Sequence, residues 1–165
     1  MNAAHFHLIL HHIPVTGMMF AIVFMLIAVV TRNKIMVKTS LWIILIIAIL
    51  TIPVFISGAS AQEMMAGWPE ISPEAVHLHM KAAQQAFVAM LVLGAAAAAS
   101  LMLYRKQKSL SGMFLATLLL VTIIATVMLA GAANKGGEIR HPEIRPGVST
   151  PAEIDRNLPV DTSDS

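Results

Sequence analysis

The stretch Leu41-Trp-Ile-Ile-Leu-Ile-Ile-Ala-Ile-Leu-Thr-Ile-Pro-Val-Phe-Ile-Ser-Gly-Ala59 contains no Asp, Glu, Lys or Arg. A helix needs about 20 mostly apolar residues to cross the hydrocarbon core of a bilayer, and this run meets that length. Three further windows read the same way, so the predicted spans are 13–31, 41–59, 82–104 and 113–133. With 57% hydrophobic and 12% charged residues in 165, the composition excludes an ordinary soluble domain. The fold class expected is an all-α membrane protein, an antiparallel four-helix transmembrane bundle over residues 1–146. Residues 147–165 are polar and contain Pro, Asp and Ser, and read as a flexible periplasmic tail. No internal repeat is apparent.

Charge sets the expected orientation. The connection 32–40 carries Arg32, Lys34 and Lys38, the connection 105–110 carries Arg105, Lys106 and Lys108, and neither holds an acid. The acidic residues lie in the 60–80 connection or beyond the fourth span. Cytoplasmic loops are the ones enriched in Lys and Arg, so both termini are expected outside a bacterial cytoplasmic membrane. The basic loops are a topology signal, and no nucleic-acid partner is expected. Residues 1–12 carry no Lys, Arg or small-residue cleavage site, so the first span is expected to be retained.

All seven histidines then fall at the outer ends of the spans: His5, His7, His11 and His12 before the first, His77 and His79 at the third, His141 after the fourth. Histidine is the commonest metal ligand and is rare beside a bilayer without a use. Cysteine is absent, which excludes disulfides, thiolate sites, iron–sulfur clusters and covalent haem attachment. If 5–12 is helical, His7 and His11 share a face while His7 and His12 point roughly 140° apart. They would be half-sites aimed at different partners, with His5 and His11 incidental. Ser72-Pro73-Glu74 is a helix start, placing His77 and His79 in the first turns of the third helix, about 200° apart. His79 heads a small-residue stripe and is expected to face inward.

His7, His12, His79 and His141 could therefore ligate one or two b haems. Gly17, Gly58 and Gly131 would give the porphyrin clearance, and Arg140 and Arg145 would meet its propionates. Glu138 and Glu143 are candidates to orient a histidine. The glycines at 136 and 137 allow a sharp turn after the fourth span, so the chain could fold back there. Met64, Met65 and Met80 lie near the histidines and keep a copper site open.

These residues resemble a family of uncharacterised four-span bacterial membrane proteins. The resemblance rests on His7-x4-His12-Ile13-Pro14, Ser57-Gly58 closing the second span, His79 opening the third, and Gly136-Gly137-Glu-Ile-Arg-His141 after the fourth. It covers about residues 5–142. The sequence departs from the family in Ile13, where Phe is common, and in Met80, where an acid often follows the histidine. The resemblance implies a haem-binding or redox role for His7, His12, His79 and His141. The expectation is a b-type cytochrome-like electron-transfer subunit, not catalytic alone. Quinol would be its partner in the lipid bilayer, and a c-type cytochrome or larger redox complex its partner outside. The alternatives are a copper- or zinc-binding membrane protein and a structural subunit of a complex.

Overall fold

The computed structural model describes residues 3–65, 68–69, 71–107 and 109–145, so the predicted tail at 147–165 and Lys108 lie outside the described residues. The described elements are helical: α1 (Ala3–Leu10), α2 (His12–Thr31), α3 (Lys34–Met65), α4 (Pro73–Gln107), α5 (Gly112–Arg140) and a 3₁₀ turn, Pro142–Ile144. Four helices, counting α2 from His7, are long and apolar enough to cross a membrane. At 1.5 Å per residue, α3 and α4 are about 48 and 53 Å long. The hydrocarbon core is about 30 Å thick, so these helices overhang it and can carry polar side chains beyond it.

Helices α3, α4 and α5 start where a side chain accepts from their first N–H groups, whereas α2 follows His11 without a side-chain cap. Asn33 Oδ1 accepts from Ile35 and Met36 N–H ahead of α3, Ser72 Oγ from Ala75 N–H at α4, and Ser111 Oγ from Phe114 N–H at α5. Arg32 ends α2 in the left-handed conformation (φ 54°), its N–H closing on Ala28 O, and so reverses the chain within two residues. Gly112 accommodates the Arg32 guanidinium beside that turn, where any side chain would collide with it.

The long helices pack in a closed ring, α2 on α3, α3 on α4, α4 on α5 and α5 on α2, with α1 lying mainly on α3. The core is a mixture of methionine, leucine and small residues: Met18, Met25, Met90, Leu41 and Leu93 are fully buried, as are Ala21 and Ala97. The buried Ser and Thr hydroxyls satisfy themselves on their own helices, whereas the buried Tyr104 hydroxyl has no partner among the described residues. Thr51, Ser100, Thr122 and Thr126 each donate to the carbonyl four residues back, at 2.6 to 2.8 Å. Polar groups can enter an apolar interior on those terms without a partner across the bundle. The opposite faces remain apolar and exposed, as at Ile46, Ile49, Val92, Leu120 and Val127. A surface of that kind is what lipid contact requires.

One sequence expectation is corrected. The fourth helix does not turn at Gly136-Gly137; it continues through both glycines to Arg140, and the chain turns only at 141–144. The backbone there keeps its helical hydrogen bonds, and the glycines serve packing instead: Gly136 meets a histidine from α4 and Gly137 meets Ile144. Helix α3 also runs through Pro53, which sits exposed on its surface.

Candidate functional site

At the end of the ring where α1 and the start of α4 meet the ends of α3 and α5, the helices enclose a mainly apolar cavity of about 350 Å³. His7, His11 and His79 line it. Their side chains are half-buried, while His5, His12, His77 and His141 are exposed.

His7 and His79 are held by the same device on different helices. The His7 Nδ1–H donates to Val54 O at 3.1 Å and lies 3.0 Å from Ser57 Oγ, whose own proton goes to Val54 O. The His79 Nδ1–H donates to Ala132 O at 2.9 Å. In each case a glycine stands four residues after the accepting carbonyl, Gly58 after Val54 and Gly136 after Ala132. A Cβ at Gly58 would lie 3.2 Å from His7 Cε1, and one at Gly136 would lie 3.1 Å from His79 Cε1. The missing side chain is what lets each imidazole reach the neighbouring backbone. A carbonyl only accepts, so Nδ1 carries a proton in both rings, and in the neutral ring Nε2 is the nitrogen with the lone pair. A backbone acceptor on the distal nitrogen is the usual support for a ligating histidine, because it fixes both tautomer and ring orientation.

The remaining candidates have other roles. His11 stacks on His7, ring centroids 5.9 Å apart, and its Nδ1–H returns to His7 O at 3.3 Å. The His12 ring lies 3.9 Å from that of His11, tilted against it, and does not line the cavity. His11 keeps helical dihedrals between α1 and α2, so the 5–12 segment is nearly continuous with the first span. His141 also lies outside the cavity and donates to Glu143 Oε1 at 2.9 Å. A hydrogen bond donated by its own backbone N–H, and then one from the His141 ring, hold the exposed Glu143 carboxyl below the usual carboxylate range. The two acids proposed to orient histidines therefore divide. Glu143 does meet one, whereas buried Glu138 accepts from Asn134 and Lys135 at 2.9 to 3.0 Å.

Arg140 lines the cavity with its guanidinium 5.4 Å over the Trp68 ring. Arg145 is committed elsewhere, donating to Glu138 O and Ile139 O at the end of α5. Of the three glycines assigned to porphyrin clearance, Gly58 borders the cavity; Gly17 faces Ile47, and Gly131 faces open space. Met64, Met65 and Met80 line the cavity too. Among the described residues no three His, Cys, Asp or Glu side chains cluster closely enough to hold a metal ion by themselves.

Several contributors were not anticipated. The carbonyls of Val54 and Ala132 have no signature in a sequence, since every residue has one. Phe55 and Phe87 stack in parallel across α3 and α4, 4.2 Å between centroids, and form one wall of the cavity. Gln84 and Trp68 complete the lining; an amide inside an otherwise uncharged apolar window was the available clue for Gln84. Comparison of the chain with family models, with curated proteins and with solved structures finds no match.

Proposed function

We propose that this chain is a b-type cytochrome-like electron-transfer subunit of a bacterial cytoplasmic membrane, with one haem ligated by His7 and His79. In this reading the bundle is antiparallel, both termini lie on the periplasmic side, and the histidine cavity opens near that face. The observation that carries the proposal is the pair of imidazoles from α1 and α4 at one cavity, each with Nδ1 tied to a backbone carbonyl and Nε2 free. Arg140 at the same cavity supplies a cation suited to a propionate. A bound b haem provides one-electron chemistry, and two histidine ligands leave it no open position for a substrate. Quinol in the bilayer is the proposed electron source, giving up two electrons in successive single steps and two protons, and a periplasmic redox protein is the acceptor.

The test is the dithionite-reduced spectrum of the purified protein, where a bis-histidine b haem gives a sharp α band. His7→Ala and His79→Ala should each abolish it, whereas His12→Ala and His141→Ala should retain it. Full haem content in either of the first two variants would sink the assignment.

A second reading has its own support. Met64, Met65 and Met80 share the cavity with His7, His11 and His79, a soft thioether and imidazole set suited to copper(I). Metal analysis of the same preparation separates the readings: copper bound in equal molar amount with no haem band favours the second.

A further inference from the structure

The uncharged windows of the four helices contain two amide side chains, Gln84 and Gln85, adjacent on α4. Both are exposed. The buried Ser and Thr hydroxyls of these windows close onto their own helices, but neither amide has a hydrogen-bond partner among the described residues. Side-chain amides facing a bilayer without partners are costly and mark a place where something binds. Gln84 also belongs to two concave surfaces. It lines the histidine cavity, and it lines an open groove with Gln85, Val88, Ala89 and Met128 across α4 and α5. Phe55 likewise lines the cavity and is exposed. The cavity therefore opens sideways, between α3 and α4, onto the lipid-facing surface. Phe87 lies one turn after Gln84 on the same face, and its parallel stack with Phe55 presents a flat aromatic wall there.

We propose that this lateral opening is a binding site for the head group of a membrane quinone. Gln84 donates to a ring carbonyl, the Phe55–Phe87 wall flanks the ring, and the apolar groove along Val88, Ala89 and Met128 takes the tail. The occupant must be planar, carry hydrogen-bond acceptors and extend into an apolar chain, and a quinone combines all three. A second helix laid on the groove would reach Gln85 but would leave the cavity side of Gln84 unfilled. The proposal rests on the electron-transfer reading for its choice of quinone, but its test does not require haem.

The chain has two tryptophans, Trp68 at the cavity and Trp42 near the opposite end of α3. In a Trp42→Phe background, titration of the purified protein with a decyl-tailed benzoquinone should quench Trp68 fluorescence saturably. Gln84→Leu should weaken the half-saturation about tenfold, the size expected for one hydrogen bond lost from a dry site. That substitution exchanges an exposed amide for an apolar side chain, so an unchanged thermal midpoint verifies that the fold is intact. Quenching that never saturates, or that is equal in the Gln84→Leu variant, overturns the proposal. So does intact quenching with a changed oligomeric mass, which would assign the amides to a helix–helix contact. The haem spectrum is read separately. Saturable binding without a b band would leave this site standing and remove the electron-transfer reading, and a b band without saturable binding would do the reverse.

Discussion

Gly58 and Gly136 act on the histidines beside them through what they lack. A packed carbon pair sits at about 3.5 to 4.0 Å, so a methyl group 3.1 Å from His79 Cε1 would have to displace the ring. Gly136→Val should separate His79 Nδ1 from Ala132 O, costing about 1–3 kcal/mol as an overpacked site does, and should lower haem content with it. Gly131→Ala is the matched control on the same helix. Its Cβ meets nothing within 4 Å, and alanine is the better helix former, so it should leave stability unchanged or raise it by up to about 1 kcal/mol. Thermal unfolding of the two variants in one detergent checks the pair. If Gly136→Val unfolds with Gly131→Ala at the wild-type temperature and with full haem, the glycine has no part in seating the ring.

Helix against helix, α3 and α4 approach closely at Gly94, where an added Cβ would lie 2.6 Å from the Ala48 Cβ. Neither atom can rotate away, so Gly94→Ala must push the two helices apart along the buried Ile44, Ala48 and Leu93 contact. Transmembrane helices gain association energy largely from such close packing, since lipid is as apolar as their side chains. The expected loss is about 1–3 kcal/mol, read as a lower unfolding midpoint in detergent. Gly17→Ala is gentler in kind, because its obstruction is the end of the flexible Ile47 side chain. A wild-type midpoint for Gly94→Ala would show that the α3–α4 seam is looser than this contact requires. The same logic explains why α5 continues past Gly136 although a Gly-Gly pair reads as a turn. Once an imidazole occupies the space over the glycine, the helix keeps its hydrogen bonds, and Arg145 bonds the carbonyls of Glu138 and Ile139 near its end.

For the molecule as a whole, the absence of cysteine makes orientation directly measurable. Glu63 and Ser109 are both exposed, near the end of α3 and just before α5. In the proposed orientation, which rests on the basic connections, Ser109 is cytoplasmic and Glu63 periplasmic. A membrane-impermeant maleimide should therefore label Glu63→Cys in cells whose outer membrane alone is permeabilised, and Ser109→Cys only after the inner membrane is disrupted. The opposite pattern would invert the topology and put the histidine cavity at the cytoplasmic face.

The four apolar helices were legible in the chain because lipid contact is a local demand, met by each window of about 20 residues without reference to the others. The start of α4 at Pro73 was legible for a related reason, since a cap is satisfied within four residues. Helical spacing also set His7 apart from His12 and turned His79 away from His77. Spacing could not say which neighbour a ring would meet. His7 meets Val54 and His79 meets Ala132, 47 and 53 residues away, through backbone carbonyls that leave no trace in side-chain identity. His12 and His141 fitted the same spacing but found other partners, His11 and Glu143. Which glycines make room, which arginine reaches the cavity and where the cavity opens to lipid depend on how four helices lean together. That arrangement is a property of the packed ring, and no single segment encodes it.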